Sequence, residues 1–302
     1  MSPKNNLNGF LVIDKPYDMG STKVVSVLKH FFHPTKIGHA GTLDPLATGV
    51  LLIAFGKATR LIPYVMEGKK TYQFTVKWGV ETDSDDLAGN EIATSNKMPQ
   101  EDEMRAILPK FIGEIMQTPN AFSAIKVDGK RSYDLARAGK KVEMKSRFVT
   151  IYDLKLLKIR PDDATFEVVC SKGTYVRTLA HDIAHALGSV GVVTMLHRTV
   201  CLPFDLTQAI QLEDVQTEKI NIDNLQLIPM ETVLKDVLAL SFSETEIKRL
   251  SQGQRLSWNK LEKTQAMVFD GIYCAKVGQK TLGLVKKEDS VIRPEFIWSN
   301  IK

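Results

Sequence analysis

Residues 71–78 alternate without a break: Tyr72, Phe74, Val76 and Trp78 fall on one side, Thr71, Gln73, Thr75 and Lys77 on the other. Successive side chains on a strand project to opposite faces, so this segment predicts a strand with one apolar and one polar face. A strand of that kind requires a sheet packed over a core, and the rest of the chain supplies candidates for both. A short apolar strand at 9–13 is stopped by Pro16. Ser21 or Thr22 then reads as an N-cap, because Val24, Val25, Leu28, Phe31 and Phe32 follow at helical spacing until Pro34. A loop is expected from Ile37 to Thr48, and the apolar run between Gly49 and Gly56 predicts a buried strand. Further strands are expected at 148–159 and 164–170, with a helix from about Thr174 to Leu187 and Gly188 as its C-cap. These elements lack regular strand–helix alternation. The expected class is therefore α+β, with a mixed, largely antiparallel sheet.

A chain of 302 residues suggests about two domains. The texture changes after about Val237, with a boundary anywhere between about 225 and 245, and we expect a main α+β domain over 1–236 and a small β-rich domain over 237–302. Within the tail, residues 244–253 form a helix candidate, and segments 266–269 and 272–277 flank Asp270-Gly271, a hairpin-turn dipeptide. Hydrophobic residues at 43% and charged residues at 25% can build a core that needs no disulfide or metal staple. The three cysteines are far apart and form no C-x-x-C pair, which excludes a disulfide scaffold and a thiolate metal site and fits a reducing cytoplasm. The N-terminus has no apolar signal-peptide core, and no apolar run reaches the ~20 residues of a membrane helix. A soluble, cytoplasmic protein with no membrane partner is expected.

The net charge of +5 is too small to name a partner. Its distribution says more. Residues 126–147 contain Lys126, Lys130, Arg131, Arg137, Lys140, Lys141, Lys145 and Arg147 against Asp128, Asp134 and Glu143, a local excess equal to that of the whole chain. Such a segment is either a solvated surface or a basic arm for phosphates.

Motif by motif, most common chemistries drop out. Neither a G-x-x-x-x-G-K-[ST] phosphate loop nor a G-x-G-x-x-G turn occurs, which removes the usual nucleotide cofactors, and there is no G-x-S-x-G elbow. His181 and His185 lie one helical turn apart, superficially like a zinc helix. The residue after the first histidine is Asp rather than Glu, and no third ligand is evident nearby, so two ordinary histidines are expected and no metal. The loop from Gly38 to Gly49 stands apart. Three glycines and a proline fix an irregular backbone around Asp44, just ahead of a buried strand. An Asp before Pro can be a simple turn former.

The run GHAGTLDPLATGVL, fourteen consecutive residues from Gly38 to Leu51, resembles the signature of the TruB family of bacterial tRNA pseudouridine synthases, which isomerise the uridine at position 55 in the T loop of tRNA. Other landmarks follow in order. Phe10 to Pro16 resembles the N-terminal motif, and Lys70-Thr-Tyr72 the tyrosine motif. Asn120 to Lys126 and Gly129 to Tyr133 resemble an RNA-gripping thumb (about 120–147). Cys170 to Thr178 resembles the arginine motif, and Leu196 to Thr199 the last one. Asp18, Gly20 and His197 depart from the family pattern, standing where Gly, Thr and Arg are usual.

The resemblance implies base flipping, glycosidic bond cleavage, rotation of the base and rejoining through carbon 5. It assigns Asp44 as the catalytic carboxylate, a nucleophile on the sugar carbon or a base that forms a glycal. Arg177 would hold that carboxylate. Tyr72 would stack on the flipped uracil, with its hydroxyl a candidate acceptor of the carbon-5 proton, although on its strand it could equally be core. His39 would fill the gap left by the base, and Tyr175 and Leu196 would line the uridine pocket. Lys130, Arg131, Lys140 and Lys141 would grip phosphates, and the tail would be PUA-like. No cofactor or metal is implied, and tRNA is the partner. The rival expectations are a tRNA-binding or folding chaperone with a decayed catalytic core and, second, a zinc enzyme on the His181/His185 helix, which metal analysis of the pure protein would decide.

Overall fold

The computed structural model describes residues 4–120, 122, 126–127, 130–131, 144–260 and 269–298. In chain order its strands are β1 (Gly9–Lys15), β2 (Ile37–Ala40), β3 (Thr48–Phe55), β4 (Lys70–Trp78), β5 (Val80–Thr82), β6 (Glu91–Thr94), β7 (Gly113–Gln117), β8 (Lys126–Val127), β9 (Lys130–Arg131), β10 (Arg147–Ile159), β11 (Asp163–Cys170), β12 (Gly191–Cys201), β13 (Phe204–Asp205) and β14 (Ala209–Gln211). The main sheet runs β14-β1-β3-β12-β4-β11-β10-β7, with β2 paired on β3 and β13 on β12. The β1–β14 and β3–β12 pairs are parallel and the rest antiparallel, the mixed α+β arrangement expected.

The alternating segment is β4, flanked by β12 and β11 in mid-sheet. Its buried residues Phe74, Val76 and Trp78 share a core with Leu179, Ala180 and Ile183 of the helix Val176–Ala186. Phe74 stacks on Phe166 with ring centroids 5.3 Å apart. The run between Gly49 and Gly56 does not alternate because both faces of β1 and β3 are covered. Leu51, Ile53 and Phe55 pack towards Val24, Leu28 and Phe32 of the helix Ser21–Phe32, while Val50, Leu52 and Ala54 belong to a second core. That second core also contains Cys274, Leu284, Phe296 and Trp298 from the C-terminal segment.

The C-terminal segment forms its own sheet, order β15-β17-β18-β19-β16, from β15 (Ala239–Ser241), β16 (Leu256–Ser257), β17 (Gly271–Val277), β18 (Lys280–Glu288) and β19 (Val291–Ile297). The helix Glu244–Ser251 starts at a capping box built by Ser243 and Glu246. A hairpin turn lies at Gly278, between β17 and β18. Asp270 accepts hydrogen bonds from Lys287 Nζ at 2.8 Å and Asp289 N at 3.0 Å, which pins it beside β18. Residues 266–268 of the expected partner segment lie outside the described residues. The segment is stitched to the rest of the chain: Lys57 Nζ donates to Trp298 O at 2.7 Å, and the Arg60 guanidinium sits 4.3 Å from the Phe296 ring centre.

Two local expectations need correction. The span from Ile37 is not all loop, since residues 37–40 form β2 by pairing with β3. Ser21 is not the N-cap. The helix begins at Ser21 and Gly20 caps it without a side chain, because the Ser21 hydroxyl bonds both Leu43 N and Leu43 O at 2.9 Å. Nothing lies within 4 Å of a Cβ built on Gly20, whose backbone is extended. Gly20→Ser is therefore expected to raise stability by a few tenths of a kcal/mol, read as a higher denaturation midpoint. Asp18, where the family pattern has glycine, sits at φ 55°, in the left-handed region that Asp tolerates better than most residues.

Candidate active site

Asp44 sits in a short irregular loop, and its position is set by contacts to both of its flanks. Leu43 and Ala47 are buried anchors on either side, and Ala47 N closes a turn on Asp44 O at 3.1 Å. Lys15, fully buried at the end of β1, donates from Nζ to Pro16 O at 2.8 Å, Met19 O at 2.5 Å and Pro45 O at 3.0 Å. Burial lowers its ammonium from the ordinary 10.5 to about 8, against the pull of Asp44 and Asp18. Arg198, also fully buried, donates to Val50 O at 2.7 Å and Gly41 O at 2.9 Å, fixing the start of the loop. Gly49 is required at the loop's exit: its φ is +96°, and a Cβ would lie 2.2 Å from Arg198 O. Lys15→Met removes a charged donor shared by three part-buried carbonyls. It is expected to cost about 1.5–3 kcal/mol, the range for a hydrogen bond to a charged group, measured by urea unfolding.

Arg177 stands in the first turn of the helix Val176–Ala186, with only 6% of its side chain exposed. Its Nη2 lies 3.0 Å from Asp44 Oδ2, and its Nη1 lies 3.0 Å from Asp86 Oδ2. The same two nitrogens donate to Phe122 O at 2.9 Å and Ser84 O at 2.6 Å. Burial alone would lower the guanidinium's pKa. Asp44, Asp86 and Asp85 outweigh it, so the cation is held more firmly than in water. Asp86 is itself fixed: Ser84 Oγ donates to it at 2.7 Å and Ala88 N at 3.0 Å, while its backbone bridges Val193 of β12. The helix start is clamped by buried Gln117 of β7, whose amide group bonds both Tyr175 N and Tyr175 O.

One cleft of about 290 Å³ gathers Asp44, Tyr72, Tyr175, Arg177 and Leu196, with Thr42, Lys70, Arg147, Lys172 and Arg198 around them. Tyr72 and Leu196 both pack against the two cores that meet below the cleft, which explains why the sequence alone reads them as core. Burial pushes the Tyr72 phenol above its ordinary pKa, while Arg198, with Nη1 3.5 Å from the hydroxyl, works in the opposite direction. The Arg147 guanidinium sits 4.7 Å from the Tyr175 ring centre. Such a site can hold a planar ring beside a carboxylate and surround it with cations.

Not every expected residue joins this cleft. His39 lies on β2, opposite Ile53, and does not line it. Lys130 and Arg131 form β9, paired with β8, while Lys140 and Lys141 lie outside the described residues. Asp86, Lys15 and Arg198 are the residues that sequence reasoning left without a role. Asp86 falls outside every family motif, and only the fold brings it to Arg177, far along the chain. The two histidines expected to be ordinary also have company: Glu81 faces both. All three cysteines are free, buried thiols. Among the described residues no helix is long and apolar enough to cross a membrane.

Comparison with known proteins places the chain in a family. Residues 29–176 match the model of the TruB family pseudouridylate synthase N-terminal domain, and residues 177–238 match that of the tRNA pseudouridylate synthase B C-terminal domain. The tRNA pseudouridine synthase B of Rhodospirillum rubrum is 47% identical over 253 residues, 83% of this chain and 82% of its own. That of Chelativorans sp. is 52% identical over 211 residues, 70% of this chain and 68% of its own. A chain of the solved Cbf5-Nop10-Gar1 complex superposes with a TM-score of 0.74 at 24% identity, covering 96% of this chain and 84% of that one, a likeness of fold. With Asp44, Tyr72 and Arg177 of the family motifs assembled in one cleft, the chain belongs to the TruB family of pseudouridylate synthases.

Proposed function

We propose that the chain isomerises uridine to pseudouridine in tRNA, at position 55 of the T loop, with the cleft around Asp44 as its active site. The observation that carries this reading is the Asp44–Arg177–Asp86 chain of ion pairs at the wall of a cleft that also holds Tyr72. Uridine stacked in a folded loop must be flipped out to be reached. The extruded base stacks on Tyr72, while Leu196 and Tyr175 line its sides. Asp44, a third exposed and oriented by Arg177, faces the sugar. It acts as a nucleophile on the anomeric carbon or as a base that forms a glycal, and in either route the glycosidic bond breaks. The uracil leaves with the bonding pair on N1 and turns, carbon 5 bonds to the anomeric carbon as Asp44 is released unchanged, and the carbon-5 proton is lost while N1 takes one up from solvent. Atoms balance without hydrolysis, redox change or group transfer, so the reaction itself requires no cofactor. The setting for such a reaction is the cytoplasm.

The basic segment gives the RNA backbone a landing site in this reading, and the β-rich tail, PUA-like, adds a second. Neutralising Lys130, Arg131, Lys140 and Lys141 together is expected to weaken tRNA binding. It should also flatten the plot of log affinity against log salt, by up to about 0.9 for each phosphate that the variant no longer neutralises. An unchanged slope would reduce the segment to a solvated surface. The function is tested by incubating the protein with an in vitro transcribed tRNA and mapping pseudouridine. One new pseudouridine in the T loop, absent when that uridine is replaced by cytidine, is expected. Modification elsewhere, or none, would reject the assignment.

A further inference from the structure

Glu81 of β5 faces the two imidazoles of His181 and His185. His181 Nε2 lies 3.3 Å from Glu81 Oε1, and His185 Nε2 lies 2.9 Å from Oε2, with the ring centroids 4.2 Å apart. The Glu81 side chain is 11% exposed, and among the described residues its ion-pair partners are these two histidines alone, with no lysine or arginine. A largely buried carboxylate is costly unless a positive charge sits beside it. Here neutral imidazoles would leave the charge without a cation.

The donor set has the chemistry of a zinc site. Two histidines one helical turn apart and a carboxylate from a distant strand present three donor atoms that all lie within 4.8 Å of one another. Ligands at about 2.0–2.1 Å around a tetrahedral ion stand about 3.4 Å apart, so donor atoms within 4.8 Å of one another need draw together by no more than about 1.4 Å. His181 Nδ1 lies 3.2 Å from Asp182 Oδ1, the carboxylate–imidazole contact that places the proton on Nδ1 and frees Nε2 to bind a metal. The side chains of His181 and His185 are 31% and 48% exposed, which leaves room for water on the open side. None of the three residues lines the cleft that holds Asp44.

We propose that Glu81, His181 and His185 bind one divalent transition metal of the zinc class, with water in the fourth position. The ion performs no step of the isomerisation. It joins β5 to the helix Val176–Ala186, the two elements that lead into Asp86 and carry Arg177. A bound metal there holds the ion pairs around Arg177 in register from outside the cleft.

The probe is Co²⁺, titrated into untagged, chelator-treated protein. Tetrahedral visible bands that saturate at one equivalent and are displaced by Zn²⁺ are expected. His185→Ala removes a half-exposed ligand and should fold; it is expected to weaken Co²⁺ binding by at least about 100-fold, beyond the 10–100-fold typical of an outer partner. Glu81→Gln should do the same. Saturating Zn²⁺ should raise the Tm of the parent and leave that of His185→Ala unchanged. Absence of visible bands with the parent, or equal Co²⁺ affinity in His185→Ala, would overturn the site. In either case the trio would be a proton-mediated pairing of imidazolium and carboxylate.

Discussion

Asp44→Asn is expected to remain soluble, to bind tRNA about as tightly as the parent, and to form no detectable pseudouridine. The replacement keeps the size of the side chain and leaves the loop's anchors in place, because Lys15, Ser21 and Arg198 hold it through backbone atoms. What disappears is the negative charge that serves as nucleophile or base in the proposed reaction. Arg177 is left facing a neutral amide, at a cost of about 1–3 kcal/mol for an imperfectly satisfied buried group. Asp86 still faces Arg177 at 3.0 Å, so the guanidinium keeps one full partner. A total stability of roughly 5–15 kcal/mol absorbs that loss. Binding by filter retention and single-turnover formation of pseudouridine check the two halves of the outcome separately. Substantial turnover by this variant would remove Asp44 from the chemistry and favour a tRNA-binding or folding role.

Arg177→Met is expected to be the most damaging single change for stability and activity together. The guanidinium joins two carboxylates and two carbonyls, and methionine can satisfy none of them. Asp86, with 10% of its side chain exposed, becomes a buried charge without a cation, a situation that costs about 3–5 kcal/mol when one partner of a buried pair is removed. Asp44 loses its orientation as well, and misplacement of a reacting group by about 1 Å can cost about 100-fold in rate. Urea unfolding should show the destabilisation, and single-turnover kinetics at saturating protein should show a rate at least about 100-fold lower. Adding Asp86→Asn removes the stranded charge and should recover part of the stability but none of the rate. Recovery of the rate by that second change would mean that Arg177 acts through folding alone.

What could be read from the chain followed local physical signals. Residues 71–78 are a strand because a period of two is hard to mistake. The helix Val176–Ala186 ends near Gly188, whose φ of +70° suits the residue after a helix terminus. Asp44, Tyr72, Tyr175, Arg177 and Leu196 fall in motifs legible in the sequence, and they do line one cleft. Signals that failed were those with a tertiary competitor. Ser21 has the chemistry of a cap, but Leu43 takes its hydroxyl. The stretch beginning at Ile37 has no strand pattern of its own and becomes β2 only because β3 offers an edge. Asp86 and Glu81 carry no local mark at all. Their roles come from where the chain after β4 lies against the helix that carries Arg177, His181 and His185, which no spacing rule encodes.

The placement of the target base is the point on which the catalytic reading stands, and photo-crosslinking reads it directly. A tRNA carrying 4-thiouridine at the target position, bound to Asp44→Asn so that no turnover intervenes, is irradiated and the linked peptide identified by mass spectrometry. The expected attachment is to Tyr72, Tyr175 or Leu196, the side chains that line the cleft beside Asp44. Cross-links confined to the C-terminal sheet or to the surface of the basic segment, with none in the cleft, would contradict base flipping into this site.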